Sequence, residues 1–549
     1  MSEGGVLRLR APLLWPVGCL VGGLCLAQWV PGMPAVPVAC CGIPPALAAV
    51  WLAGRDGGAR SWTCCWCGAA LILAWAYGLG RTPPPPEALW RDAPPREVLL
   101  DLEVIRVFDR EAGSRFQSGI ARITNAAYPS ETLAGERTGF FLYGPNARIA
   151  HRARFRTRAV LYPIAASGDA EGFEQFLLHN HVHFQLRQGA VLAVERTGNA
   201  WTRILQGRRD RFTEWLRAGS VDTPHDLHGR AFAGMLLGRR NLLPETQRNR
   251  FLRSGVMHLF AISGLHIMAM ALTVERALAL ARVPTRWRPV PGLLVLGLYV
   301  AITGSAPSAV RAFLMVVFFW SARGWERQHA SLAALCASAV AVLLWQPQQL
   351  WSPGFQLSYS VVGSILLLGL PLARAWRERL RLFRDLPREN WSRWHERQER
   401  AVRRFLDLLA ISWSATLGSA PLTAAYFGVI TPGAVLLNML LVPLAGLAVV
   451  NGFLVMLAGS AGLSFVGATL NRSAWVILSM MFGLIDGFLA VPGFFWEREL
   501  APGLGRCLLP PLFVWLLWLR RTGRSPGPAP YLWTGAGLFG LLFLLAAPS

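Results

Sequence analysis

The chain has 549 residues, of which 53% are hydrophobic and only 15% are charged. This composition excludes an ordinary soluble protein with a charged surface, and the length excludes a single domain. The formal net charge of +23 is carried by arginine alone, because the sequence contains no lysine. Arginine forms two-pronged hydrogen bonds with phosphate better than lysine does, although genomic base composition explains an all-arginine choice as well. We therefore expect a polytopic membrane protein.

Three apolar runs open the chain, and they extend over residues 11–30, 34–53 and 61–80. Arg8 and Arg10 precede the first run, and Arg55 and Arg60 lie between the second and the third. Arginine-rich segments stay in the cytoplasm, so the N-terminus is predicted to be cytoplasmic. We interpret the first run as a signal anchor, because no convincing small-residue cleavage site follows it. Three crossings then place the chain from Arg81 onward outside the membrane.

The one extended polar region covers residues 81–228 and is predicted to form an external domain. Four short alternating segments, bounded by Gly, Pro, Asn and Ser, are predicted to be strands over residues 97–109, 115–124, 138–143 and 150–162. Four or five such strands suit a small all-β barrel of the oligonucleotide-binding (OB) type. Residues 203–216 have the pattern of an amphipathic helix that leads back to the membrane.

Ten further spans are predicted, with starts near residues 256, 290, 306, 330, 354, 405, 432, 463, 506 and 529. Arginine-rich loops fall on the cytoplasmic side of these spans, and residues 374–404 alone hold 11 Arg against 5 acidic residues. The fold class is thus a polytopic α-helical membrane protein of about 13 spans with an external C-terminus. The predicted domains are residues 1–80 (N-terminal transmembrane helices), 81–228 (external domain), 229–505 (transmembrane core) and 506–549 (C-terminal transmembrane helices).

The segment from His258 to Met268 places two histidines, a serine and a glycine within an apolar run. Water is scarce at membrane depth, so each polar side chain there needs a protein partner or a wet cavity. On an unbroken helix Ser263 and His266 would share a broad face with His258, and the histidines would lie ~12 Å apart, too far to bind one metal ion. Gly264 is a candidate break in that helix. The pattern predicts groups that line a hydrophilic path, or that satisfy one another inside the bundle.

Polar residues also mark other spans. Gly304 and Pro307 predict a tight or discontinuous helix, whose N-terminal amides would attract an anion. Arg311 lies one turn into the following helix, where it would either face a pore or snorkel to the outer interface. The segment 355–359 begins a further span. The residues predicted to line a path are His258, Ser263, Gly264, His266, Ser305, Ser308, Arg311, Gln356, Ser358, Tyr359 and Asn438.

The segments 258–268, 307–312 and 355–359, together with the pair Asn438 and Pro443, resemble the successive signatures of the ComEC family of competence DNA-uptake channels. The external region resembles the β-barrel domain of that family, and its end matches in the segment 171–177. The resemblance covers most of the chain. It implies a channel in the bacterial inner membrane that passes one strand of transforming DNA into the cytoplasm during natural competence.

One part of that family pattern is missing from the sequence. Many members carry a C-terminal metallo-β-lactamase-like domain, whereas this sequence ends just after its last predicted span. The closest segment to a metal motif, from His179 to His183, lacks the Asp-His pair of such a site and is predicted to be a solvated barrel strand. We therefore expect no nuclease activity, no catalytic residue, no metal and no cofactor in this polypeptide. A nuclease would be a separate protein.

A row of arginines in the external region is the predicted DNA contact. Arg152, Arg154, Arg156 and Arg158 have strict period two, so on a strand all four guanidiniums would project from one face. A row of like charges repels itself, and single-stranded nucleic acid binding combines such a row with aromatic platforms. The predicted DNA-binding residues are Arg152, Arg154, Arg156, Arg158, Phe141 and Tyr143. A solvated outer face or contact with anionic lipid explains the row as well.

The predicted mechanism is electrostatic and not chemical. A nucleotide-binding loop of the Gly-x-x-x-x-Gly-Lys type is impossible without lysine, so a separate cytoplasmic motor would drive transport. The expected partners are single-stranded DNA, the lipid bilayer, this motor and an external DNA receptor. Two alternatives remain open. One is an intramembrane hydrolase with Ser263 as nucleophile and a histidine as base, although no carboxylate in that span could orient the base. The other is a carrier for an anionic small molecule or lipid.

Overall fold

The computed structural model describes most of the chain. The described residues are 13–30, 32–53, 59–81, 94–108, 116–128, 133–143, 151–164, 173–196, 199–221, 223–260, 262–324, 331–383, 386–521 and 528–548. The predicted cytoplasmic arginines Arg8, Arg10 and Arg55 lie outside these residues, and so does the side chain of Tyr143.

Helices form most of the described chain. They are α1 (Leu14–Trp29), α2 (Ala35–Cys41), α3 (Ile43–Ala53), α4 (Ala59–Arg81), α5 (Phe173–His179), α6 (Ala200–Arg217), α7 (Asp226–Leu237), α8 (Glu245–Arg253), α9 (Gly264–Leu280), α10 (Pro289–Ile302), α11 (Pro307–Gly324), α12 (Ser331–Trp345), α13 (Pro353–Ser364), α14 (Leu370–Arg379), α15 (Arg393–Phe427), α16 (Ala434–Ser460), α17 (Ser464–Leu489), α18 (Pro502–Cys507), α19 (Leu509–Arg521) and α20 (Pro528–Leu545). A π-helical turn, Ile365–Gly369, joins α13 to α14 without a break.

Seven of the described helices are long and apolar enough to cross a membrane. They are Ala35–Ala53, Ser61–Arg81, Pro353–Arg379, Arg393–Phe427, Ala434–Ser460, Ser464–Leu489 and Pro528–Leu545. Five further apolar helices are shorter, with 10 to 17 residues. The chain is therefore a mostly helical, multi-pass membrane protein, as the composition predicts. The total of about 13 spans and the orientation of the termini stay predictions.

The polar region folds into a closed five-stranded barrel. Its strands are β1 (Arg96–Val107), β2 (Phe116–Tyr128), β3 (Arg137–Tyr143), β4 (Arg154–Pro163) and β5 (Phe184–Arg196), in the order β1-β2-β3-β5-β4. Neighbouring strands are antiparallel except β3 and β5, which are parallel. Alternate side chains fill the interior, and Leu100, Leu102, Phe140 and Phe155 are fully buried there. The small β domain is confirmed, while its OB type and external position stay predictions.

Two helices after the barrel form a hairpin that packs into the bundle. The helix α6 covers the predicted amphipathic segment 203–216, and α7 returns beside it, so the predicted boundary at residue 228 falls inside α7. Both helices contact α16 and α17. The hairpin is joined at its tip by the ion pair of Arg217 with Asp226, whose Nη2 and Oδ1 atoms lie 2.9 Å apart.

Small residues let the core helices approach closely. A Cβ on Gly418 of α15 would lie 2.5 Å from Ser364 Oγ, and a Cβ on Gly369 would lie 2.4 Å from Ser414 Oγ. The helices α13 and α15 therefore pack backbone against backbone, which is the usual contact between helices inside a membrane. Pro421 and Pro443 lie inside α15 and α16, which continue past them.

A second, small sheet closes one end of the bundle. Its strands are β6 (Val429–Ile430), β7 (Trp496–Glu499) and β8 (Ala547–Pro548), in the order β6-β7-β8. Arg498 of β7 donates from Nη1 to the carbonyl oxygens of Phe543 and Ala546, at 3.1 and 3.0 Å. The sheet thus ties the end of α20 to the α15–α16 connection.

Candidate functional site

The polar segment that begins at His258 is not one helix. Residues Met257–Phe260 form a 3₁₀ turn, and α9 starts only at Gly264, with Ser263 as its extended N-cap residue. The candidate break at Gly264 is therefore confirmed, whereas the predicted start of a span near residue 256 is wrong, because the helix begins eight residues later. The physical reason is local: Ser263 caps a new helix that begins at Gly264, so the two histidines lie on different elements.

The two histidines have different surroundings. His258 is exposed and its Nδ1 lies 3.2 Å from the carbonyl oxygen of Gly255, whereas His266 is fully buried. His266 Nδ1 accepts a hydrogen bond from the Ser263 backbone N–H at 3.2 Å and lies 2.9 Å from Ser263 Oγ. Because Nδ1 accepts, the proton of this imidazole is on Nε2. That Nε2 has no hydrogen-bond partner in the described part of the chain.

The predicted tight connection between α10 and α11 is present. Gly304 and Ser305 both have positive φ values, +85° and +52°, and both are exposed. The helix α11 begins at Pro307, and Ser308 Oγ donates to the carbonyl oxygen of Ile262 at 2.7 Å. This bond attaches the start of α11 to the residue just before Ser263. The first two predicted polar segments therefore meet.

Arg311 brings the third segment to the same place. Its side chain is 1% exposed, and Nη2 donates to the carbonyl oxygen of Gly354 at 2.6 Å. The guanidinium carbon lies 6.0 Å from the ring centroid of Phe355, within cation–π range. Nε and Nη1 have no hydrogen-bond partner among the described residues. The Arg311 guanidinium is thus enclosed by protein beside the starts of α11 and α13, and its two alternative roles, facing a pore or reaching the outer interface, stay predictions.

The segment 355–359 takes part in a polar relay that the sequence did not reveal. Arg506 Nε donates to Tyr426 Oη at 3.0 Å, and Tyr426 Oη donates to Gln356 Oε1 at 2.8 Å. Gln356 Nε2 in turn donates to the carbonyl oxygen of Leu350 at 2.9 Å. The sequence shows polar residues at 356, 426 and 506 within apolar segments, but their spacing does not predict that their side chains form hydrogen bonds with one another.

The other predicted path residues occupy separate positions. Tyr359 Oη donates to Ser338 Oγ at 3.1 Å, and Ser358 is half-buried on the same helix. Asn438 lies one turn into α16, and its Oδ1 is buried with no hydrogen-bond partner in the described chain. The structure thus joins the first three segments directly by the bonds of Ser308 and Arg311, whereas no such bond attaches Asn438 to them.

The arginine row of the barrel differs from its prediction. Only Arg154, Arg156 and Arg158 lie on β4, because Arg152 has φ +62° in the turn before the strand. Each of the three forms an ion pair with an acid of β1: Arg154 with Glu103 (2.9 Å), Arg156 with Asp101 (2.7 Å) and Arg158 with Glu97 (2.7 Å). The expected self-repulsion of the row is therefore wrong, because the neighbouring strand supplies the anions. Those acids also occur at every second position of the sequence from 97 to 103, apart from Leu99, so the sequence already showed a possible partner row for the arginines.

The other barrel predictions are settled in part. Phe141 is half-buried on β3, away from the fully buried Phe140. The segment from His179 to His183 is the end of α5 and a turn, with His181 at φ +56°, so the predicted strand there is wrong. Gln348 Nε2 lies 3.1 Å from His181 Nε2, which brings the barrel to the α12–α13 connection. No metal-binding cluster of His, Cys, Asp or Glu occurs among the described residues.

Comparison with known families identifies this arrangement. The family model described as Competence protein matches residues 235–522, which is just over half of the chain and contains every segment of the polar cluster. The chain belongs to the competence protein family. This is the ComEC family whose signatures the polar segments resemble.

Individual competence proteins show the same relationship at low identity. The chain is 28% identical to ComE operon protein 3 of Bacillus subtilis (strain 168) over 197 residues, which cover 36% of this chain and 24% of that protein. It is 26% identical to competence protein ComA of Neisseria gonorrhoeae over 304 residues, 53% of this chain and 42% of that protein. An uncharacterized protein of Aquifex aeolicus (strain VF5) is 30% identical over 211 residues, 38% of this chain and 42% of that one. The chain therefore spans less than half the length of these relatives. No solved structure matches.

Proposed function

We propose that this member of the competence protein family takes part in DNA uptake, as a channel in the bacterial inner membrane that passes a single DNA strand into the cytoplasm. The observation that carries the proposal is the meeting of three polar segments inside an apolar bundle. Ser308 holds the 258–266 segment and Arg311 holds the 353–359 segment, by the two bonds described above. The exposed imidazole of His258 lies within this apolar surrounding.

Electrostatics supports an anion as the transported species. A charged side chain at the centre of a membrane costs about 3 kcal/mol or more unless it is paired or faces water. Arg311 hydrogen-bonds a carbonyl oxygen and contacts an aromatic ring, and two of its nitrogen atoms have no hydrogen-bond partner in the described chain. The N-termini of α11 and α13 start at Pro307 and Pro353, so their amides add positive potential nearby. Phosphate groups fit this potential.

The proposed protein partners would supply energy for transport and deliver DNA to the channel. Without lysine the chain has no nucleotide-binding loop, so a cytoplasmic motor would provide the energy. An external receptor would deliver DNA to the side where the barrel lies. Electrostatic transport of this kind requires no catalysis by the chain itself.

The test is uptake of labelled DNA into the cytoplasm of a competent host. We expect Arg311→Gln to lower uptake at least about tenfold, which is about 1.4 kcal/mol of lost transition-state stabilisation. Arg250→Gln is the matched control, because Arg250 is an exposed cation that pairs with Asp486 at 3.3 Å outside the polar cluster. Equal uptake by the Arg311 variant and the wild type, at equal protein levels, would contradict the proposal.

A second candidate function is an intramembrane hydrolase, because Ser263 Oγ lies 2.9 Å from His266 Nδ1. The same Nδ1 accepts the backbone N–H of Ser263, and the Nε2 of His266 contacts no carboxylate in the described chain, so nothing orients the base as in a catalytic triad. Covalent labelling of Ser263 by a serine-reactive probe would favour the hydrolase. Uptake that survives in Ser263→Ala at the wild-type level would favour the channel.

A further inference from the structure

The tip of the α6–α7 hairpin packs against the helix α17. Asn471 Nδ2 donates to the carbonyl oxygens of Trp215 and Ala218, at 2.8 and 3.2 Å. The ring of His225 stacks on the ring of Trp475, with the ring centroids 5.3 Å apart and the ring planes inclined by 14°. The hairpin tip is therefore held against the first half of α17.

A cleft of about 460 Å³ lies beside this contact, between the hairpin tip and α17. Its lining residue from the tip is His225, and the others lie within about 140° of the circumference of α17, at 100° per residue. Val476 and Met480 are 62% and 54% exposed, so the cleft opens on the outer surface of the bundle. We call it the α17 cleft, and it is lined by His225, Arg472, Trp475, Val476, Ser479 and Met480.

The polar end of the α17 cleft carries a cation and no acid. Arg472 is exposed and forms no hydrogen bond or ion pair with another residue that the structure describes. Asp226, which follows His225 in the chain, is already paired with Arg217 at 2.9 Å and with Arg230 at 2.7 Å. No acidic residue lines the cleft in the described part of the chain. The charge of Arg472 is therefore available to an anion.

The charged residues of α17 indicate where the cleft lies in the membrane. The helix α17 is one of the seven candidate spans, and Arg472 and Asp486 are its only charged residues. Both are exposed, and they lie ~21 Å apart along the axis at 1.5 Å per residue. Exposed charges avoid hydrocarbon, so the uncharged stretch 473–485 between them is the part of α17 that contacts lipid chains. Helical side chains lean toward the N-terminus of their helix, so Arg472 points away from this stretch and toward the lipid headgroups.

An open groove continues from the α17 cleft into the apolar stretch. Gly483 is exposed on the same face of α17 as Arg472 and Met480, and no atom lies within 4 Å of its Cβ position. Residues 472 to 483 extend ~16 Å along the helix, which matches the ~15 Å depth of one lipid leaflet. A lipid headgroup at Arg472 would therefore place an acyl chain along Val476, Met480 and Gly483.

We propose that the α17 cleft binds one anionic phospholipid, with its phosphate on Arg472 and His225 and an acyl chain in the groove. The planar fork of arginine matches two phosphate oxygens, and a neutral imidazole can donate one further N–H. The cationic group of a zwitterionic headgroup would meet no acid among the lining residues. This inference is independent of the proposed function.

The bound lipid would also stabilise the contact between two elements. His225 belongs to the hairpin tip and Arg472 belongs to α17, so one phosphate that binds both side chains joins them. A ligand that binds only the folded state raises the thermal unfolding midpoint as its concentration increases. Lipid binding at this cleft is therefore measurable as an increase in thermal stability.

The first experiment measures the thermal unfolding midpoint of the purified, delipidated full-length protein in detergent while short-chain phosphatidylglycerol is added. We expect the midpoint to rise with phosphatidylglycerol, and to rise much less with phosphatidylcholine of the same chain length. In Arg472→Gln about tenfold more phosphatidylglycerol should be needed for the same rise, because a hydrogen bond between charged groups is lost.

Arg276→Gln is the matched control, because Arg276 is an exposed arginine of α9 without a hydrogen bond or ion pair to another described residue. This variant should respond to phosphatidylglycerol as the wild type does. The inference is overturned if phosphatidylglycerol does not raise the wild-type midpoint, or if the Arg472 variant responds like the wild type or no worse than the Arg276 variant. An equal rise with phosphatidylcholine would show that the cleft does not select an anion, and an equal rise with inorganic phosphate would show that it does not select a lipid. Either result also overturns the inference.

The second experiment tests the groove. Gly483→Leu places a branched side chain in the path of the acyl chain and leaves Arg472 in place. Gly537→Leu makes the same change on α20, where the glycine is likewise exposed and no atom lies within 4 Å of its Cβ position.

Native mass spectrometry measures the phosphatidylglycerol that each purified variant retains. Gly483→Leu should retain about fourfold less than the wild type, which is the effect of keeping one methylene group from its apolar contact. Gly537→Leu should retain as much as the wild type. Equal retention by the two variants would overturn the inference, because no acyl chain would then lie along Gly483.

Discussion

Arg311 has lost almost all contact with solvent, and no carboxylate pairs with it among the described residues. Its partners are the carbonyl oxygen of Gly354 and the face of Phe355, and neither carries a full negative charge. A buried charge without a counter-charge lowers stability, so a sequence selected for stability alone would place a neutral side chain here. Under the proposed function the charge serves transport, and this part of the proposal can be tested separately from the uptake assay.

Arg311→Met should separate stability from transport. Removing an uncompensated buried charge while keeping a long apolar stem should leave the thermal unfolding midpoint of the detergent-solubilised protein unchanged or raise it, while DNA uptake falls. If Arg311 only supported the fold, the Arg311→Met substitution would lower both the unfolding midpoint and DNA uptake. Thermal unfolding is measured on the purified variant and uptake in cells that express it at the wild-type level, with wild type as the reference in both.

At the scale of elements, local signals predicted helix starts well. Pro289, Pro307, Ser331 and Pro353 begin α10, α11, α12 and α13, close to the predicted starts near 290, 306, 330 and 354. Proline at the first helical position has a favourable φ and lacks an N–H that would have no partner there, so the signal is local and readable. The predicted helix start near residue 256 was wrong, because an apolar run does not reveal a 3₁₀ turn followed by a serine N-cap.

Pairing between elements was harder to predict than the elements themselves. The strand β4 was expected, but the register that places Asp101 opposite Arg156 and Glu103 opposite Arg154 depends on which strand lies beside it. Likewise, the amphipathic α6 was expected, but its place in the bundle is set by contacts of Trp215 with Gly459 and Asn471, more than 240 residues away in sequence. The hydrophobic periodicity of a sequence predicts which face of a helix or strand is polar. It does not predict which other element that face contacts.

The pair of Asp101 and Arg156 should make the barrel sensitive to acid. Hydrogen bonds from Arg156 lower the pKa of Asp101 below its usual value. The pKa of Asp101 is lower in the folded state than in the unfolded state. The ion pair therefore stabilises the barrel fully at pH values above the unfolded-state pKa of about 3.9, and this contribution is lost as the pH falls through the folded-state pKa. Hydrogen exchange of β1 and β4 peptides should show increased local opening in that range. In Asp101→Asn this pH dependence should be weaker.

Glu97→Gln is the control for this prediction. Glu97 and Arg158 are both more than 60% exposed, and a solvent-exposed ion pair contributes little stability. Its loss should leave the exchange of β1 and β4 nearly unchanged. Equal protection of both strands in wild type and Asp101→Asn at every pH would show that the buried side of the sheet, and not the ion pair, holds them together.

At the scale of the whole molecule, two connections and the end of α20 identify one end of the bundle. The barrel contacts the α12–α13 connection through His181 and Gln348, and β7 joins the α15–α16 connection to the end of α20. The α9–α10 and α14–α15 connections belong to the other end if the helices between them cross once each. The positive-inside rule predicts that the second group, which is rich in arginine, lies in the cytoplasm.

The prediction for the whole molecule is therefore that the barrel and the α9–α10 connection lie on opposite sides of the membrane. Leu192 is a 57% exposed residue of β5, and Arg282 is an exposed residue between α9 and α10. In intact cells freed of their outer layers, an impermeant thiol reagent should label Leu192→Cys at once and Arg282→Cys only after the membrane is permeabilised. Peptide-resolved mass spectrometry separates each new thiol from the native ones. Labelling of both positions from outside would require an even number of crossings between them, and the alternation on which the path through the membrane depends would then be wrong.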